Sequence, residues 1–267
     1  MRMPGTAAVA GLLRAAAVMA TTLMALPLGA GTATPAVAAT ATGASSDAGS
    51  AKQRIVVIGG SGMIGQRIVR EALDRGHEVT LVARDPAKVS EKHERLKVMQ
   101  GDVLDPDSLR AVFAGQNAVI SAVGAARARE PDYLLYLRAA DSLVAALRAM
   151  GEGAPRLLVV GGFGSLRDAS GKLALERVPR DRRPEHLGQK AALDFYRTVA
   201  DVRWTYLSPP GRIAPGERKG RYRTGEDRLI LDDQGGVGAI SMEDYAVAMI
   251  DEIEKPRFVG RRFTVAY

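Results

Sequence analysis

The sequence predicts a single α/β domain built on a doubly wound parallel sheet. Three observations predict it. Strand patterns and amphipathic helical patterns alternate from residue 54 to residue 267; the first strand pattern is a continuous apolar run, as a buried parallel strand is; and a glycine-rich turn joins that strand to the first helix. The stretch holds about 215 residues, enough for one domain with a full core. It shows no internal repeat and no second domain.

The elements follow in order. Arg54 to Ile58 is the first strand, and Ile64, Ile68, Val69, Ala72 and Leu73 recur at helical spacing after the turn. Glu78 to Ala83, Leu96 to Met99, Ala118 to Ala122 and Leu157 to Val160 read as strands two to five. Helical patterns separate them over Asp105 to Ala114 and Asp132 to Met150, and a further one covers Glu185 to Val199. Trp204 to Leu207 begins a sixth strand that stops at Pro209-Pro210, since proline lacks the N–H a ladder needs. The remainder predicts a hairpin over Arg221 to Leu231, a helix over Met242 to Glu254 and a last strand over Arg262 to Ala266. Ser241 with Asp244 reads as a capping box that starts this helix.

Composition narrows the chemistry. Cysteine is absent, which excludes a disulfide framework, a thiolate nucleophile and a cysteine-ligated metal. The three histidines, His77, His93 and His186, are too scattered for a zinc site, so no metal is expected. The net charge of +7 suits an anionic small-molecule ligand, but it is spread too evenly to argue for nucleic acid.

Residues 1–39 have the layout of a secretory signal. Arg2 and Arg14 precede an apolar stretch from Ala15 to Leu26, and Ala36-Val37-Ala38 offers a small-x-small cleavage site. Pro27 interrupts the stretch, so a stable membrane span is not expected. Residues 40–53, rich in Ala, Ser, Thr and Gly, read as a flexible linker. Export to the periplasm or the exterior is the expectation. The competing reading is an over-long start upstream of a cytoplasmic protein, or a disordered tail.

The turn itself, Gly59-Gly60-Ser61-Gly62-Met63-Ile64-Gly65, has the spacing of a dinucleotide-phosphate loop. Gly59 turns the chain off the strand, Gly62 lacks a Cβ that would block the phosphates, and Gly65 lets the helix lie close to the sheet. The helix then points free N–H groups at the pyrophosphate. At the end of strand two a carboxylate would select NAD and a cation the 2′-phosphate of NADP. Arg84 stands there with Lys88 one turn on, so NADP is expected, with NAD as the alternative if Asp85 accepts the ribose hydroxyls.

These segments, with Ala83-Arg84-Asp85, Gly101-Asp102-Val103, Gly161-Gly162 and Leu207-Ser208-Pro209-Pro210, resemble the atypical short-chain dehydrogenase/reductase group. Within that group the chain is most similar to the NAD(P)H-flavin reductase and biliverdin reductase B-like subgroup. Residues 213–218 and 241–246 also resemble small bacterial NADH-flavin reductases. The resemblance covers nearly all of residues 53–267 and implies a Rossmann-like fold. It further implies that Asp102 and Val103 flank the adenine, that Ala122, Val123 and Gly124 line the cofactor, and that Pro209 and Pro210 border the nicotinamide.

The departures from the wider family are informative. Its dehydrogenases use Tyr-x-x-x-Lys, and no tyrosine here has a lysine four residues later. His186-Leu187-Gly188-Gln189-Lys190 keeps the spacing with imidazole in place of phenol, so His186 is a candidate general acid and Lys190 a candidate ribose ligand. The alternative for His186 is a solvent-facing residue just inside a helix. Ser165 is the hydroxyl nearest the site, displaced from the family's carbonyl-polarising position. These changes fit hydride transfer to a flavin bound as substrate rather than as a resident cofactor, with Phe163 able to stack on it. A non-catalytic NADP-binding sensor of the NmrA-like kind is the alternative. The stretch Arg212, Arg218, Lys219, Arg221 and Arg223 is expected at the open edge of the site, where it could attract a flavin phosphate or simply protect a solvated hairpin.

Overall fold

Successive strand residues face opposite sides of a sheet, so an uninterrupted apolar strand needs helices on both faces. The computed structural model describes residues 51–124 and 133–267. The strands are β1 (Arg54–Ile58), β2 (Glu78–Ala83), β3 (Leu96–Gln100), β4 (Ala118–Ser121), β5 (Arg156–Val160), β6 (Trp204–Ser208), β7 (Arg212–Ala214), β8 (Arg223–Gly225), β9 (Ala239–Ser241) and β10 (Arg261–Ala266). The helices are α1 (Met63–Asp74), α2 (Pro106–Phe113), α3 (Leu135–Met150), α4 (Arg183–Arg197) and α5 (Met242–Glu254). Eight strands form one sheet in the order β3-β2-β1-β4-β5-β6-β10-β8, while β7 and β9 pair separately. All contacts from β3 through to β10 are parallel, and β8 closes the edge antiparallel to β10.

This is the doubly wound, Rossmann-like α/β domain that the alternation predicts. Ile55 and Val57 pack with α1 and α5, whereas Val56 and Ile58 pack with α2, α3 and α4. The chain winds from β1 toward β3 and then returns to β4 on the other side of β1. The carboxyl ends of β1 and β4 therefore flank the topological switch point, where such sheets bind ligands.

Local rules place the element ends well. Asp105 caps α2, its Oδ1 accepting from the N–H groups of Asp107 (3.1 Å) and Ser108 (3.3 Å). The helix expected from Asp132 begins at Leu135, and its first expected residue lies outside the described ones. Two expectations are corrected. Arg223–Gly225 does not form a hairpin with Leu231; it joins β10, whose free edge supplies a ladder, and the following Asp227 is drawn to the buried Arg262 guanidinium (Nε, 2.8 Å). Ser241 Oγ does cap α5 by accepting from Asp244 N–H (2.9 Å), but the Asp244 carboxylate does not reciprocate. It accepts instead from the N–H groups of Lys219 and Gly220 and from the Tyr267 hydroxyl.

The expected signal and residues 40–50 of the expected linker lie outside the described residues. Among the described residues no helix is long and apolar enough to cross a membrane, and no cluster of three metal-ligating side chains occurs.

Candidate active site

The switch point is built from backbone. Gly59 has φ +79°, and a Cβ there would lie 2.5 Å from Ala122 O, so only glycine lets the β1 turn meet the end of β4. A Cβ on Gly65 would fall 2.2 Å from Gly59 O and 2.8 Å from Gly60 Cα, which is the close helix approach expected of it. Gly62 is different. It is the N-cap residue of α1 at φ −75° and ψ 166°, and its missing Cβ would meet only Gly59 O, at 3.2 Å. No side chain caps α1 and its first turn carries no acid; the Gly62 N–H donates to Gly59 O (3.0 Å), which leaves the N–H groups of Met63, Ile64 and Gly65 and the positive dipole end to an anion. Gly60 is buried and Ser61 exposed, with Ser61 O accepting from Gln66 Nε2 (3.0 Å). A pyrophosphate fits this cradle.

The adjoining loops sit at the same end of the sheet. Arg84 follows β2, is exposed, and its guanidinium has no partner among the described residues. Lys88 is 83% exposed and pairs with Asp85 at 3.0 Å. That pair and the Ala87 N–H hold the Asp85 carboxyl below its ordinary pKa. Asp102 is exposed after β3 and ties its loop by accepting from Leu104 N–H (2.9 Å), with Val103 half-buried beside it. Ala122, Val123 and Gly124 continue β4 toward the cleft.

Helix α4 supplies the other wall. His186 and Gln189 face the loop after β5: a Cβ on Gly164 would lie 2.8 Å from His186 Cβ, and one on Gly162 would lie 2.1 Å from Gln189 Oε1. Phe163 meets the imidazole edge-on, with ring centroids 6.3 Å apart. Burial first, then the Arg182 charge, pushes the His186 pKa below its ordinary value against the opposing pull of Glu185. Lys190 donates to Asp194 at 2.5 Å. Ser165 is buried; its Oγ donates to Gly162 O (3.3 Å) and accepts from Arg262 Nη1 (3.2 Å), while the same guanidinium nitrogen reaches Ser208 Oγ (3.3 Å). Gly161, Pro209 and Pro210 are buried at the ends of β5 and β6.

The glycine turn and the uncapped start of α1 are groups that could hold a dinucleotide phosphate, and the matches to known proteins are to NAD(P)H-binding ones. The NAD(P)H-binding family profile matches residues 59–256. The chain belongs to the NAD(P)H-binding family. The uncharacterised protein YwnB of Bacillus subtilis is 35% identical over 219 residues, covering 79% of this chain and 97% of that one. A solved structure from Burkholderia pseudomallei, described as a "putative exported protein", is 40% identical with a TM-score of 0.71, covering 80% of this chain and all of the other. A "putative NADH-flavin reductase" from Streptococcus pneumoniae is 31% identical with a TM-score of 0.68, covering 80% of this chain and 99% of the other. The resemblance to atypical short-chain dehydrogenase/reductases is thereby shown.

Within this NAD(P)H-binding domain the basic stretch is not one surface. Arg212 pairs with Asp232, Arg218 clamps Glu71 of α1 through two bonds of 2.7 and 2.8 Å, Lys219 lies over the Tyr267 ring, and Arg223 donates to Tyr267 O. Glu71 is buried and already bonded to Arg75, which is why Arg218 is drawn away from the cleft. Two residues at the site carried no sequence signal of their own. Arg262 lies 97 positions from Ser165 and reads as an ordinary strand charge; Gln189 stands one helical turn after His186, the spacing that could have singled it out.

Proposed function

We propose that this chain is an NADPH-dependent reductase that passes hydride to a flavin or flavin-like acceptor at the carboxyl ends of β5 and β6. The observation that carries this reading is the face of α4. A half-buried imidazole packed edge-on to Phe163 stands four residues before Lys190, where related dehydrogenases place a phenol. The Streptococcus relative supports it. A bound NADPH supplies a hydride, and an acceptor flavin taking it at N5 needs one further proton.

The chain's own groups divide the rest. Gly59 to Gly65 and the open end of α1 bind the pyrophosphate, Arg84 takes the 2′-phosphate, and Asp102 and Val103 border the adenine. Ala122, Val123 and Gly124 line the cofactor, and the buried Gly161, Gly162, Pro209 and Pro210 border the nicotinamide. His186 delivers the acceptor's proton. Lys190 reaches the ribose by exchanging Asp194 for the hydroxyls. Ser165, held by Arg262, is a support for the loop rather than a group aimed at the acceptor.

One observation favours a second reading: Lys190 and Ser165 are both engaged inside the protein, as suits a dinucleotide sensor that does no chemistry. Both readings meet in one experiment, oxidation of NADPH and NADH with and without FMN by wild type and Arg84→Glu. FMN-dependent oxidation of NADPH over NADH, with the preference lost in Arg84→Glu, supports the reductase; NADPH binding without turnover supports the sensor. Export is part of this proposal, supported by the Burkholderia relative.

A further inference from the structure

His186 and Gln189 lie three residues apart on α4, so both side chains fall on one helix face. That face is fitted to the Gly162-Phe163-Gly164 loop, where Gly162 leaves room for Gln189, Gly164 leaves room for His186, and Phe163 meets the imidazole edge-on. The fit leaves Gln189 incompletely bonded. Its Oε1 is buried without a donor, and its Nε2 has no acceptor among the described residues. Its backbone is by contrast firmly held, with Gln189 O accepting from the hydroxyl of the fully buried Tyr206 at 2.9 Å. A buried amide left unpaired in a well-fixed helix turn marks a place where a partner is missing.

We propose that Gln189 is a specificity-determining residue of the acceptor site, and that its carboxamide recognises a ring edge in which a carbonyl stands beside an N–H. A carboxamide offers one acceptor and one donor side by side, and both are unspent here. The complementary edge is that of a cyclic imide or lactam, which the pyrimidine portion of an isoalloxazine carries and a quinone does not. Glutamine has two staggered torsions before its carboxamide, so a change of rotamer carries both atoms from Gly162 to the cleft, and the broad terminal torsion then sets the plane of the amide. The missing Cβ of Gly162 gives the carboxamide room. This inference rests on the reductase reading for its acceptor class, but it concerns binding and is tested by binding.

The experiment titrates FMN into NADP-loaded wild type, Gln189→Met and Gln189→Glu by flavin fluorescence. In parallel, turnover is measured with FMN, N3-methyl-FMN and menadione. Methionine keeps the length and apolar stem of glutamine and removes both hydrogen-bonding atoms, and melting temperatures check each variant's fold. Losing a paired hydrogen bond is expected to weaken FMN binding roughly 10-fold in Gln189→Met. Menadione turnover and NADPH affinity stay unchanged, and wild type disfavours N3-methyl-FMN by a similar factor. Equal FMN affinity in wild type and Gln189→Met overturns the inference, as does a parallel loss toward menadione, or wild type that binds no FMN. FMN bound in a Gln189-dependent way but never reduced supports the inference and removes the reductase reading. FMN reduced equally by all three proteins does the reverse.

Discussion

Gly62 caps α1 and Gly65 lies in its first turn, yet replacing each by alanine separates ligand binding from folding. At Gly65 the new methyl would lie 2.2 Å from Gly59 O and 2.8 Å from Gly60 Cα, and both are backbone atoms, so no side chain can swing aside. Helix α1 has to withdraw by more than an ångström to restore an ordinary contact, an overpacking that costs about 1–3 kcal/mol. For a domain of about 215 residues this lowers the melting temperature by roughly 3–10 °C. At Gly62 the methyl meets only Gly59 O at 3.2 Å, and φ −75° suits alanine, so the fold is expected to melt within about 2 °C of wild type. The same methyl stands where a phosphate must approach the helix N–H groups. Losing one charge-assisted hydrogen bond of about 1.5–3 kcal/mol weakens NADPH binding roughly 10- to 100-fold. Calorimetric melting and titration of NADPH fluorescence measure the two effects. Wild-type affinity in Gly62→Ala would refute the phosphate cradle, and an unchanged melting temperature in Gly65→Ala would refute the tight helix contact.

Two further outcomes follow from the site. Since burial and Arg182 depress the His186 pKa, the imidazolium that donates a proton is the minor form at neutral pH and grows as pH falls. The kcat/KM for FMN should therefore rise from about pH 8 toward about pH 5 in wild type and stay flat in His186→Gln; a flat wild-type profile removes the acid role. The same depression means that below about pH 6.5 the unfolded chain binds the proton first, so this group's contribution to stability is lost, not gained, as the medium turns acid. For export, Edman sequencing of the cell-purified protein should begin at Ala39 or Thr40; an intact Met1 returns the chain to the cytoplasmic reading.

What the linear chain determines here is whatever depends on neighbours in sequence. The apolar run before Gly59, the apolar spacing through Leu73 and the cap at Asp105 each act within a few residues, and the structure has β1, α1 and α2 where they point. The helix Met242–Glu254 is legible to both ends for the same reason. Glycine spacing likewise announced the tight β1–α1 turn, because a turn that must meet a helix closely leaves its mark within seven residues. The tertiary structure alone decided the pairing of distant charges. Arg218 goes to Glu71, 147 positions away, and not to a flavin phosphate; Arg262 reaches Ser165 and turns it into a support. The hairpin failed on the same ground, since β8 found a free strand edge in β10 that no local pattern records. A charge or a strand edge takes the partner that the fold brings near, and that choice is made by the packing of the whole domain.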